Sequence, residues 1–177
     1  PFLPEALVTL DGVQVAADRL LGGSQADGRA LLDSLALRTT AALCTLEAGA
    51  VTTAVQLGAT YTSEREQFGK KIATFQAVGQ RMADAYVDAE AIRLTALQAI
   101  WLIAEGREAT DQVAIAKFWA AEGGQRVVHA TTHVHGGVGV DRDYPLHRYF
   151  LLTRQLELTL GGATQSLLAL GASAARS

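Results

Sequence analysis

Apolar residues recur every three or four positions along most of the chain after Gly28, which is the spacing of helices that bury one face. The segment from Phe75 to Glu105 shows this best, because charged residues fill the positions between the apolar ones. We predict a long helix there, ended by Gly106. Its apolar positions are Val78, Met82, Ala85, Ala89, Ile92, Ala96 and Ile100.

Two further long helices are predicted on either side of that segment. Arg29 to Thr62 is rich in Ala and Leu and contains neither Pro nor a Gly pair, so a helix of roughly 50 Å is expected. The other begins near Thr110, whose hydroxyl can cap it, and stops at Gly136-Gly137.

Two shorter helices complete the pattern, over Leu146–Leu156 and Ala163–Ala174, with Gly161-Gly162 between them. Three long and two short helices with short connections predict an all-α, up-and-down bundle over residues 27–177.

The first 24 residues differ from the bundle. Ala6–Leu10 and Val13–Val15 are β-prone and flank Asp11-Gly12, a dipeptide typical of hairpins. A two-stranded ribbon alone is marginally stable, so we interpret residues 1–24 as a β remnant, the end of a β-domain. Because the chain opens at Pro1 without a methionine, we expect the natural protein to extend further toward its N-terminus.

Composition excludes some partners. The 15 basic residues are scattered and the net charge is −3, which argues against nucleic acid. The longest apolar run, Ala99 to Ala104, is far shorter than the ~20 residues of a membrane helix. Cys44 is the single cysteine, so an intramolecular disulfide is excluded and a cytoplasmic location is the expectation.

The loop from Tyr61 to Lys70 has two interpretations. Arg65, Lys70 and nearby amides could bind a phosphate, because guanidinium groups match phosphate oxygens. The alternative is a polar connector in which Phe68 and Phe75 fill the core. From the residues alone, the connector is favoured.

The run His135-Gly136-Gly137-Val138-Gly139 is equally open. Glycines let a backbone approach a pyrophosphate closely, but this run follows a helix rather than a strand, and a simple helix end explains it as well.

His129 and His133 share a helical face at a spacing that could suit zinc. No HExxH arrangement and no nearby cysteine supports them, so no metal site is predicted.

Taken together and in order, these motifs resemble the C-terminal domain of acyl-CoA dehydrogenases from Gly28 to the end of the chain, and residues 10–22 resemble the end of that family's middle β-domain. The motifs that carry the resemblance are Arg65-Glu66-Gln67-Phe68-Gly69-Lys70, Phe75-Gln76, Ala116-Lys117, His135-Gly136-Gly137-Val138-Gly139 and Tyr144-Pro145-Leu146-His147-Arg148.

The resemblance implies a tetramer with FAD at a subunit interface and an acyl-CoA thioester as substrate. A glutamate of such an enzyme removes the α-proton while the β-hydride moves to the flavin. The residues expected to contact FAD by this resemblance are Arg65, Gln67, Phe68, Gln76, Gly136, Gly137 and Gln165.

The chain departs from the family at the catalytic base. Gly161 stands where most members have the glutamate, and residues 158–165 contain no acid. Thr39 stands where a minority of members carry it. Glu47 and Glu157 are weak alternatives, each interpreted as a solvated or structural residue. We therefore predict no catalytic residue in this chain.

Three hypotheses follow. The first is a base-less subunit of a heterotetramer, resembling the two-gene actinobacterial enzymes that act on steroid side-chain CoA thioesters, in which this chain completes the FAD site of a homologous partner. The second is a self-sufficient homotetramer that uses Glu47 or Glu157. The third is a structural or regulatory subunit that binds no flavin. The first is favoured, because the expected FAD contacts are intact.

Overall fold

The computed structural model describes residues 4–23 and 25–176, and the helices within them confirm the all-α bundle. Each predicted helix boundary lies within two residues of the one in the structure. In chain order the helices are α1 (Gly28–Glu64), α2 (Gln76–Ala104), α3 (Thr110–His135), α4 (Leu146–Leu158) and α5 (Ala163–Ala174).

Carboxylates cap the first and third helices. Asp27 accepts hydrogen bonds from the N–H groups of Arg29 and Ala30 at 2.9 and 3.2 Å, which satisfies donors at the start of α1. At α3 the predicted cap was wrong. Thr110 is the first helical residue, and its N–H donates to the Glu108 carboxylate at 2.7 Å.

The core lies between α1, α2 and α3, with α4 and α5 packed against α3. Most core side chains are small, so the helix axes can approach closely. None of the helices in the described part of the chain combines the length and the hydropathy that crossing a bilayer requires. Representative core residues are Ala41, Cys44, Val51, Ala85, Ala89, Ile92, Ala96, Ala116, Ala120 and Val127.

The predicted N-terminal strand pair is not formed. Among the described residues before α1 there is a short 3-10 turn, Ala17–Arg19, and no strand, and the side chains of Leu7, Val8 and Leu10 are exposed. A ribbon without further strands gains too little from pairing. The assignment of residues 1–24 to a β-domain stays a prediction, and residues 1–3 and 24 lie outside the described part.

Strand pairing occurs instead directly after α1. β1 (Glu66–Gln67) and β2 (Lys70–Lys71) form an antiparallel hairpin whose turn is Phe68-Gly69. Both turn residues have positive φ, +54° and +76°, as a type I′ turn requires.

Candidate functional site

The hairpin is tied to the end of α1 by backbone and side-chain bonds. The Arg65 N–H donates to the Tyr61 carbonyl at 2.8 Å, and the Arg65 carbonyl accepts from the Ile72 N–H at 2.9 Å. Lys71 binds the Glu66 carboxylate at 2.9 Å and the Glu64 carbonyl at 3.0 Å. The turn at its tip is therefore held in a defined place.

Phe68 lies at that tip in a conformation that is unfavourable in two ways. Its φ of +54° is a left-handed conformation that costs a non-glycine residue roughly 1–2 kcal/mol. Its side chain is also 92% exposed, with one ring contact, edge-on to Phe75 at 6.1 Å between centroids. The interpretation of Phe68 as a core plug is wrong. An exposed aromatic held in a strained conformation indicates a binding surface.

The glycine turn after α3 leaves open space outside its backbone. Gly136 has φ +61°, and a Cβ added at Gly136 or Gly137 would meet no atom within 4 Å. Gly139 has a different role, because a Cβ there would lie 2.7 Å from the Thr132 carbonyl oxygen. Gly139 thus lets the turn close on α3, while Gly136 and Gly137 remain accessible to a ligand.

His135 joins the glycine turn to the hairpin. Its ring stacks on Tyr61, with centroids 4.3 Å apart. Its Nδ1 lies 2.7 Å from the Thr131 carbonyl, which can only accept, so Nδ1 carries the proton of the neutral ring and Nε2 accepts from the Tyr144 hydroxyl at 3.1 Å. Burial lowers the pKa of His135, which favours this neutral form.

The two motifs therefore meet at one end of the bundle, which we call the hairpin face. A cavity of about 320 Å³ opens there, lined by residues of the hairpin, the start of α2 and the end of α3. Six of the seven predicted FAD contacts lie at this face, and all six are exposed. They are Arg65, Gln67, Phe68, Gln76, Gly136 and Gly137.

The charges of the hairpin face are mostly positive. Arg65, Lys70 and Arg81 form no ion pair with any acidic side chain in the described residues. Unpaired cations beside an exposed aromatic ring and open glycine backbone fit a nucleotide cofactor that carries phosphates.

Gln165, the seventh predicted contact, lies elsewhere. It borders a cavity of about 600 Å³ that Thr40 and Leu160 also line. Thr39, beside this cavity, is 26 residues before Arg65 on the same helix, so the two ends are about 39 Å apart. The structure does not bring Gln165 together with the other six residues.

Thr39 and Gly161, the two expected base positions, lie next to that second cavity, because their chain neighbours Thr40 and Leu160 line it. Gly161 has φ +103°, and an added Cβ would lie 2.3 Å from the Gln165 Oε1 atom. Gly161 and Thr39 offer no group that could take up a proton from carbon.

The two weak alternatives do not line that cavity either. Glu157 forms an ion pair with Arg154. Glu47 is fully buried rather than solvated, and neither of its oxygens has a hydrogen-bond partner among the described residues. Burial raises the pKa of Glu47 to about 7, and the nearby Thr153 hydroxyl and Lys117 charge offset this only in part.

Tyr61 and Tyr144 belong to motifs that the sequence analysis singled out, but their contacts with His135 were not predicted, because they depend on tertiary packing. The pair His129 and His133 is not joined by a third ligand. The described residues contain no group of three or more metal-binding side chains, and the His129 ring packs edge-on against Phe150 at 5.1 Å.

Comparison with known proteins agrees with this architecture. The family model described as the acyl-CoA dehydrogenase C-terminal domain matches residues 19–175. Acyl-CoA dehydrogenase FadE27 of Mycobacterium tuberculosis is 47% identical over 172 residues, which are 92% of this chain and 44% of that protein.

Two solved structures are also similar. One is the ChsE4-ChsE5 complex from Mycobacterium tuberculosis, with TM-score 0.87 and 45% identity over 95% of this chain and 44% of the matched one. The other is a variant of the Tcur3481-Tcur3483 steroid ACAD, with TM-score 0.74 and 46% identity over 78% and 39%. The first is named as a complex of ChsE4 with ChsE5, and the second as a steroid ACAD.

The helical bundle and the match over nearly all of its residues define an acyl-CoA dehydrogenase C-terminal domain. The chain belongs to the acyl-CoA dehydrogenase family, and it spans less than half the length of the relatives it matches.

Proposed function

We propose that this chain is the C-terminal part of an FAD-dependent acyl-CoA dehydrogenase subunit that lacks the catalytic base and completes the FAD site of a homologous partner. One observation carries the proposal. The hairpin face keeps its unpaired cations and the strained, exposed Phe68, whereas Gly161 and Thr39 leave both base positions without an acid. A subunit with no flavin to bind would have no reason to retain that strain.

The residues of the hairpin face divide the binding between them. Arg65 would bind pyrophosphate oxygens through its guanidinium group, and Phe68 would cover an apolar part of the partner's cofactor. Gln67 and Gln76 offer amide donors, and Gly136-Gly137 let the ligand approach the backbone closely. Gln165 lines a second cavity together with Thr40, whose neighbour Thr39 lies about 39 Å from Arg65 along α1, so Gln165 is assigned to a second surface.

FAD, when bound, supplies the acceptor for the β-hydride of an acyl-CoA thioester. This chain would position the cofactor, and the partner would supply the base that removes the α-proton. Loss of a general base typically costs ~10²–10⁴-fold in rate, so the chain is expected to be inactive without its partner.

The relatives support the partner and the substrate class. The ChsE4-ChsE5 structure is named as a complex, and the Tcur3481-Tcur3483 structure, which also joins two names, is named as a steroid ACAD. We extend this to a heterotetramer that acts on a steroid side-chain or fatty acyl-CoA thioester in the cytoplasm.

The first test is Arg65→Gln in the full-length subunit, purified in complex with its partner. Removing a charged hydrogen-bond donor costs roughly 1.5–3 kcal/mol, so FAD affinity should fall by roughly 10- to 100-fold while the complex still assembles. The measurement is bound flavin per complex by absorbance, followed by FAD titration of the stripped complex.

Arg107→Gln is the matched control. Arg107 is also exposed, but its guanidinium lies over the Trp101 ring at 5.0 Å, away from the hairpin face. This variant should keep its flavin. Wild-type FAD affinity in the Arg65 variant would overturn the assignment of the hairpin face.

A further inference from the structure

A buried acid lies where three helices cross. Glu47 of α1 is fully buried, and its carboxylate rests against Gly124 of α3, where an added Cβ would lie 2.3 Å from Oε1. Thr153 of α4 is also fully buried there, and its hydroxyl likewise has no hydrogen-bond partner in the described part of the chain. An ionised carboxylate in such a place is poorly compensated.

A buried cation faces the same junction. The Lys117 ammonium of α3 donates to the carbonyls of Leu156 and Glu157, at 2.6 and 3.2 Å. These belong to the last turn of α4, whose carbonyls have no partner within the helix. Lys117 thus caps the end of α4 across 39 and 40 residues of sequence.

The segment held by this cap is the turn between α4 and α5. It contains two residues with positive φ, Leu160 at +58° and Gly161 at +103°. Its internal backbone bonds are few, with the Thr159 N–H donating to Gln155 at 3.1 Å and the Gly161 N–H to Leu158 at 3.3 Å. The conformation of the turn therefore depends strongly on how the end of α4 is held.

The ionisable groups that face Glu47 are Cys44 on its own helix, Lys117 on α3 and Glu157 on α4. Burial raises the pKa of the Cys44 thiol to about 12, so it stays neutral, and Glu157 is already paired with Arg154. Lys117 is thus the one positive charge among these groups that an ionised Glu47 can attract.

We propose that Glu47 and Lys117 form a pH-sensitive pair that controls the turn between α4 and α5. While Glu47 is protonated, the Lys117 ammonium stays on the α4 carbonyls and the turn is held. When Glu47 ionises, its carboxylate attracts the ammonium away from those carbonyls, and the turn loosens. This inference concerns residues remote from the hairpin face and stands independently of the proposed function.

Hydrogen–deuterium exchange of the full-length protein in its complex tests the pair. Peptides covering residues 157–164 are compared at about pH 6 and about pH 8.5, with rates corrected for the intrinsic pH dependence of exchange. In the wild-type protein, the protection of this segment against exchange should be about tenfold lower at the higher pH. A tenfold change corresponds to the loss of about one net hydrogen bond.

Three variants make the test specific. Glu47→Gln should keep the protection at both pH values, and Lys117→Met should lack it at both. Glu90→Gln is the matched control, because Glu90 pairs with Arg93 on the surface of α2, and it should behave as wild type. The same pH-dependent loss in Glu47→Gln as in wild type would overturn the proposal, and this comparison decides it even where Lys117→Met does not fold.

Discussion

Two residues of this chain lie in surroundings that are unfavourable for their side chains. Phe68 exposes an aromatic ring on a left-handed backbone, and Glu47 buries a carboxyl group without a hydrogen-bond partner among the described residues. Each costs the isolated fold free energy. The proposed ligand at the hairpin face would account for Phe68, and the proposed pair with Lys117 would account for Glu47.

Glu47 should make the stability of the protein depend on pH. Burial raises its pKa from 4.5 to about 7, so the folded protein binds this proton more tightly than the unfolded chain does. The free energy of unfolding should therefore fall as pH rises from about 4.5 to about 7, by up to about 3 kcal/mol, and then level off. Denaturant unfolding across this range measures it.

Glu47→Gln should remove this component, so that the variant gains stability relative to wild type as pH rises. Glu90→Gln, which alters a half-buried ion pair with Arg93, should leave the component in place. Parallel stability curves for wild type and Glu47→Gln would show that the pKa of Glu47 is the same in the folded protein as in the unfolded chain.

At the scale of elements, the sequence predicts the helices well because their apolar spacing and glycine ends are local features. It does not predict the Phe68-Gly69 hairpin, since strands of two residues show no alternation and Phe is not a usual type I′ turn residue.

The burial of Glu47 could have been predicted from its position in the sequence, but its charge argued against it. It lies three residues after Cys44 and four before Val51, on the buried stripe of α1.

The candidate site depends on tertiary contacts that the sequence does not show. The order of motifs identifies the residues of the hairpin face, but the contacts of His135 with Tyr61 and Tyr144 arise from packing. For the same reason, the sequence does not separate Gln165 from the other predicted contacts, because the cavity that Gln165 shares with Thr40 of α1 forms only when the helices pack.

The packing of α1 on α3 depends on Gly124. A methyl group there would collide with the Glu47 carboxyl group, 2.3 Å from Oε1 and 3.2 Å from Cδ. Gly124→Ala should lower the free energy of unfolding by about 1–3 kcal/mol, measured by denaturant unfolding at a pH where Glu47 is protonated.

Gly171→Ala is the control within a helix. A Cβ at Gly171 meets nothing within 4 Å, so this change should stabilise α5 by roughly 0.5–1 kcal/mol. In a Glu47→Ala background the cost of Gly124→Ala should largely disappear. An equal cost in both backgrounds would show that the collision is not with Glu47.

At the scale of the whole molecule, the hairpin face and the two expected base positions lie in different parts of the bundle. The hairpin face lies at one end of α1, and Thr39, one of the two expected base positions, lies about 39 Å away toward the other end. The neighbour of the second position, Leu160, lines the same cavity as Thr40. One flavin site could thus use the hairpin face of this subunit and the base of its partner, and the missing acid at Gly161 and Thr39 would leave that site intact. The proposed arrangement would account for a chain that keeps the predicted FAD contacts but has no acid at either expected base position.

Flavin stoichiometry tests this central claim most directly. The full-length protein is purified alone and together with its partner subunit, and bound FAD is counted per chain. The account predicts little or no flavin on the protein alone and close to one FAD per pair of unlike subunits in the complex. Full flavin occupancy of the protein alone would contradict it and show that this subunit builds a complete FAD site without its partner.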